Sequence, residues 1–127
     1  MPLVKISILK GWSDNQKKEL NNAIHKALVK TLNIPEWDFF HRINEYSKID
    51  FIFPEVKSNK FIILEIHLYP GRKKETKKLM FKEICANLIN IGIPKMDIFI
   101  QIIEQPLHNW GIKGGNPANE TDINIKP

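Results

Sequence analysis

Hydrophobic and polar positions alternate from the start of the chain. In residues 2–9, Pro2, Val4, Ile6 and Ile8 fall on one side and Leu3, Lys5, Ser7 and Leu9 on the other. That is the period of a strand, and Gly11 ends it. The period then changes: Leu20, Ile24, Leu28 and Leu32 recur every four residues, with Ala23 and Ala27 filling the stripe, which predicts an amphipathic helix. "SDNQ" at 13–16 supplies the start of this helix, because the Ser13 side chain accepts from a free first-turn N–H while Gln16 reaches back. "NIP" at 33–35 supplies its stop, since a residue before proline is pushed out of the α region. A second strand is predicted over about 38–46.

The second half repeats this plan. "FIILEIHLYPG" at 61–71 reads as a strand closed by Gly71, Met80, Ile84 and Leu88 form the next helical stripe, and "GIP" at 92–94 stops it before a strand at about 97–104. The letters themselves repeat: "IPEWDFFHRINE" at 34–45 and "IPKMDIFIQIIE" at 93–104 share Ile, Pro, Asp, Phe, Ile and Glu in register. A helix that crosses over between two strands makes them parallel, with a right-handed connection. The fold class is therefore α/β (α+β), with duplicated β-α-β units forming one four-stranded sheet and two helices on one face. A single domain spans 1–127: repeat one at about 2–46, a linker at about 47–60 with room for a short strand at 49–53, repeat two at about 61–104, and a tail at about 105–127 that is polar and loop-like from Gly114. Strands 61–69 and 97–103 read as apolar on both faces, and two helices cover only one of them. Another copy of the chain is the economical cover for the other, so an oligomer is expected.

Composition removes several classes. No apolar run approaches the ~20 residues of a membrane helix, and no charged segment followed by an apolar one opens the chain as a secretory signal does. The lone Cys85 forms no internal disulfide. A cytoplasmic protein is expected. The net charge of +5 raises the question of nucleic acid, but the lysines are scattered. Their densest run, "GRKKETKK" at 71–78, lacks interleaved aromatics and a nucleic-acid motif. His25, His67 and His108 lack metal-ligand spacing, and no phosphate loop or dinucleotide fingerprint is present.

Four features, taken in order along this duplicated plan, carry a resemblance: Pro2 behind the initiator methionine, "IPEWD" ending in Asp38, "PGRKKETKK" with Arg72 ahead of the second helix, and "NWGIKGG" at 109–115. Together they resemble the tautomerase superfamily, and the doubled length resembles its malonate semialdehyde decarboxylase and related tautomerase-like branch. The resemblance covers residues 2 to about 115. It implies a homotrimer with one active centre per chain, built around an amino-terminal Pro2 with Asp38 and Arg72 close by and Trp110 in an apolar wall. It implies a small carboxylate substrate, no metal and no cofactor. One departure stands out. The decarboxylase pattern has two arginines one residue apart ahead of the second helix, and Pro70 occupies the position of the first.

Each of these residues has a structural reading beside the chemical one. Without Met1, Pro2 is a secondary amine on a stiff ring, and burial near a cation would lower its pKa from the ~8 of a free α-amino group toward that of a usable base. Pro2 also suits the start of an edge strand. Arg72 at a helix mouth suits a substrate carboxylate, or is a solvated arginine. Asp38 orients water or holds the proline's proton, or forms a turn as its repeat-mate Asp97 would. Period two puts Arg42 rather than His41 on the face of Asp38, which makes Arg42 the candidate for the missing second arginine. The reaction implied is keto–enol tautomerisation of a small 2-oxo acid with Pro2 as general base. The alternatives are a decarboxylase or hydratase with Pro2 as general acid, a binding protein on the same scaffold, and a basic trimer associated with nucleic acid.

Overall fold

The computed structural model describes residues 1–127, and the predicted periods become real elements in the predicted order. Strand β1 (Leu3–Leu9) leads into helix α1 (Asp14–Leu32) and strand β2 (Phe40–Tyr46). Strand β3 (Ile62–Leu68), helix α2 (Lys74–Asn90) and strand β4 (Ile98–Glu104) follow. The sheet order is β2-β1-β3-β4. Each β-α-β unit makes a parallel pair, and the two units meet at the centre through antiparallel β1 and β3.

Pairing of Leu3 with His67, Lys5 with Glu65 and Ser7 with Ile63 relates the two halves by an internal two-fold. The equivalences are detailed. Gly11 and Gly71 both take φ 121°, a left-handed conformation that glycine adopts without a Cβ penalty. The helix N-caps Ser13 and Lys73 have φ −72° and −73°. Lys17 pairs with Glu45 at 2.5 Å and Lys77 with Glu104 at 2.8 Å, each tying a helix to the second strand of its own unit.

The core lies between the helices and one sheet face. Val4, Ile6 and Ile8 of β1 and Ile62, Leu64, Ile66 and Leu68 of β3 are fully buried there against Leu20, Ile24, Leu28, Met80, Ile84 and Leu88. The capping box forms as the sequence predicts, with Ser13 Oγ accepting from Gln16 N and Gln16 Oε1 accepting from Ser13 N. Helix α1 ends at Asn33 in the left-handed region, φ 54°, one of the few non-glycine residues that tolerates it.

Four expectations need correction. Strand β2 starts at Phe40, two residues late, because Asp38 N donates to Pro35 O and closes a turn first. Residues 49–53 form turns and irregular chain instead of a strand. They join neither open edge of the sheet, and Phe51 and Phe53 instead pack with Tyr46 and Phe61. The tail is not simply loop: a short hairpin, β5 (Gly111–Ile112) with β6 (Asn116–Pro117), lies between two single helical turns. The sheet face away from the helices is mixed where the sequence reads as apolar. Period two sends Glu65, His67 and Gln101 to it along with Ile63 and Phe99, and Lys5 sits 3.9 Å from Glu65 near its centre.

Candidate active site

Three chain segments converge at one end of the sheet. The antiparallel register of β1 and β3, continued past Leu3 and His67, brings the Tyr69–Arg72 segment beside the amino end of the chain. Gly71 then turns the backbone so that Arg72, just before α2, is folded in and only 7% exposed. The turn closed by Pro35 delivers Asp38, 6% exposed, from the other side. The Met1 amine lies 3.7 Å from Asp38 Oδ2. Met1, Asn33, Ile34, Asp38, Arg72 and Lys126 are among the residues lining a cavity of about 410 Å³ here.

The chain on either side of Asp38 is anchored to α1. Buried His25, on α1, donates from Nε2 to the carbonyl of Glu36 at 2.8 Å and stacks on Phe39 with ring centroids 3.9 Å apart. His41 donates from Nδ1 to Asn21 Oδ1 at 3.2 Å. Burial, helped by His25, lowers its pKa to about 4. It is neutral near pH 7 and adds no cation beside the carboxylate.

The electrostatics concern three groups. Burial lowers the pKa of the Met1 amine. The Asp38 charge opposes that shift, and the Arg72 charge adds to it. Burial also lowers the pKa of Arg72, against Asp38 and Glu104, but a guanidinium stays protonated in proteins. Tyr69 is raised by burial and then by the Asp38 charge, which ties this tyrosine to the same site. Arg72 Nε and Nη1 and Asp38 Oδ1 are buried without a hydrogen-bond partner. Leaving buried donors unpaired on a cation costs roughly 1–3 kcal/mol or more each, so the site is built to receive an acceptor.

Of the residues singled out from sequence, Asp38, Arg72 and the Met1–Pro2 end are brought together. Trp110 stands one ring further out: it packs edge-on against Tyr69, centroids 4.8 Å apart, and its Nε1 donates to Gln105 O. Arg42 is elsewhere. Its register partner is Lys5, on the sheet face away from the helices, and it does not line the cavity. Two features escaped sequence reasoning. Tyr69 had a weak signal, as the residue leading into "PGR" at a strand end. The tail had none, yet Asn124 and Lys126 line the cavity, and the Pro127 carbonyl accepts from Thr76 Oγ1 at 2.5 Å in the first turn of α2.

Comparison with known proteins decides the family. A family model described as tautomerase enzyme matches residues 38–113, and a second with the same description matches residues 2–60. This chain belongs to the tautomerase family. The probable tautomerase YusQ of Bacillus subtilis (strain 168) is 26% identical over 121 residues, covering 91% of this chain and 95% of that one. The structure of FG41 malonate semialdehyde decarboxylase inhibited by 3-bromopropiolate is 29% identical, with a TM-score of 0.85 and coverage of 96% and 99%. A symmetric trimer of fused 4-OT shares the fold at 20% identity, TM-score 0.81, covering 92% of this chain and 96% of that one. The two halves of the tautomerase plan thus extend over almost the whole chain, and the protein is a tautomerase-superfamily enzyme of isomerase type.

Proposed function

We propose that the protein is a cofactor-independent keto–enol tautomerase of small 2-oxo acids, with Pro2, exposed by removal of Met1, as general base. The observation that carries this reading is the buried Arg72, two of whose nitrogens lack partners, in one cavity with Asp38 and the amino end of the chain. Arg72 binds the substrate carboxylate and stabilises negative charge as it develops on the enolate. Neutral Pro2 takes a proton from carbon or the enol oxygen and returns it to the other. Asp38 attracts that proton to the amine while it is in transit. Burial and the Arg72 charge favour the neutral form of the Met1 amine, and the same surroundings should act on the Pro2 amine once Met1 is removed. Tyr69 and Trp110 form the apolar side of the substrate site.

The test is the pH dependence of kcat/KM on two substrates. A base must be neutral, so ketonisation of phenylenolpyruvate should rise with pH through the pKa of the Pro2 amine. A second reading has Pro2 protonated as an acid, as a decarboxylase would use it, and is supported by the likeness to FG41 malonate semialdehyde decarboxylase. Malonate semialdehyde turnover that falls through the same pKa, with no ketonisation, would replace the first reading by the second. Pro70 in place of a second arginine favours ketonisation, because one cation suffices to hold a carboxylate during enolisation.

The assembly proposed is a homotrimer. The fused 4-OT trimer supports it, as does the sheet face away from the helices, where Phe40 is 41% and Phe99 59% exposed. Light scattering should give roughly 44 kDa, about three times the 14.8 kDa chain. A monodisperse monomer at micromolar concentration would overturn it.

A further inference from the structure

The internal two-fold that relates β1 to β3 generates a counterpart of the active site at the other end of the sheet. The counterpart keeps its scaffold. Ile93, Pro94 and Asp97 repeat Ile34, Pro35 and Asp38, with Asp97 N donating to Pro94 O at 2.9 Å as Asp38 N does to Pro35 O at 3.1 Å. Gly92 takes φ 99° where Asn33 takes 54°. Its chemistry is different. Trp12 follows Gly11 where Arg72 follows Gly71, and no chain terminus is present. Buried Asp97 is turned to Ser58, accepting from its backbone N at 3.1 Å and from its hydroxyl.

A cavity of about 290 Å³ remains at this end, lined among others by Lys10, Trp12, Gln16, Lys60, Ile91 and Ile93. Trp12 and Ile91 pack on the core and present an apolar floor. Two ammonium groups belong to the rim: Lys10 is exposed, and Lys60 reaches over to donate to Gly92 O at 3.2 Å. Glu19, the acidic residue of the lining, accepts from Asn15 Nδ2 at 3.1 Å. The N-terminus of α1 is closed by its capping box, and that box uses Gln16 Oε1, leaving the amide NH2 of Gln16 as a donor.

From this we infer that the end of the sheet opposite the active site carries a non-catalytic binding site for a small organic carboxylate with an apolar or aromatic body. The body lies on Trp12, Ile91 and Ile93. The carboxylate takes charge-assisted hydrogen bonds from Lys60 and Lys10, with Gln16 as a neutral donor. The volume suits a one-ring acid. The duplication explains why a pocket persists here: the same turns frame both ends of the sheet, while Trp12 in place of Arg72, and the diversion of Asp97 to Ser58, exchange the groups of the catalytic end for those of a receptor.

The experiment is a titration of the assembled protein with 3-phenylpropionate, followed by 1H–15N spectra in which the Trp12 indole is assigned from Trp12→Phe. A saturable shift of the Trp12 signal is expected, and it should survive in Arg72→Ala, which disables the active site. Lys60→Met and Lys10→Met should each weaken the binding about tenfold, the effect of losing one charge-assisted hydrogen bond. The neutral 3-phenylpropionamide should bind weakly to the wild type. Lys10 is solvent-exposed, so Lys10→Met tests the charge even if Lys60→Met fails to fold. The inference is overturned if the Trp12 signal does not move, if it moves only while Arg72 is intact, or if the amide binds as well as the acid.

Discussion

A chain that keeps Met1 should ketonise an enolised 2-oxo acid about 10²–10⁴-fold more slowly than the same chain beginning at Pro2, the range lost with a positioned general base. With Met1 attached, the Pro2 nitrogen is an amide and has no basic lone pair. The methionine's own amine sits 3.7 Å from Asp38, so retention also fills the substrate's space. Intact mass of protein made without an amino-terminal tag reports which form is present, and a form with retained methionine can be prepared by adding a residue ahead of it. Pro2→Ala gives a milder result, because removal of Met1 then leaves a primary amine that can still accept a proton. Equal turnover by the Met1-retaining and Pro2-initiated chains would remove Pro2 from the mechanism.

The second large effect is at Arg72. Arg72→Ala should lower kcat/KM for carboxylate substrates by about 2–4 kcal/mol, the usual loss when a charged donor to developing negative charge is deleted. Arg72→Lys should recover only part of this, since an ammonium keeps the charge but not the planar fork. A purely structural role would leave the pH profile unmoved, whereas a charge facing the amine shifts it. At the Met1 amine, the Arg72 charge lowers the pKa and the Asp38 charge raises it, and the Pro2 amine should face the same two charges once Met1 is removed. Arg72→Ala should therefore move the rising limb of kcat/KM to higher pH, and Asp38→Asn should move it to lower pH. Thermal melts of both variants separate these shifts from misfolding. Arg72→Ala with unchanged kinetics, alongside a strongly impaired Arg42→Ala, would transfer the carboxylate-binding role to Arg42.

The corrections to the sequence reading share one cause. Periodicity reports which face of an element is apolar, but it does not report what neighbours that element. Residues 49–53 have strand-like composition, yet their aromatic rings cluster with Tyr46 and Phe61 and the segment pairs with no strand. Arg42 obeys period two, yet its side of β2 is the face of Lys5, whereas Asp38 belongs to the preceding turn and not to the strand. Alternation along β2 therefore carried no information about Asp38.

Local chemistry in the sequence determined the elements and their duplication. The capping box, the prolines at 35 and 94, the glycines at 11 and 71 and the four-residue apolar stripes each act within a turn or two of chain, so they can be read without knowing the fold. The order of Pro2, Asp38, Arg72 and "NWGIKGG" along that plan carried the resemblance to the family. Only the tertiary structure decided the rest. The antiparallel meeting of β1 and β3 brings Tyr69 and Arg72 to the amino end, and the path of the tail carries Lys126 into the same cavity. These are contacts between residues distant in sequence, set by the pairing of strands and the burial of side chains. The buried, partnerless nitrogens of Arg72 belong to that level as well, because whether a polar atom is satisfied depends on every group around it, and those groups come from the whole fold.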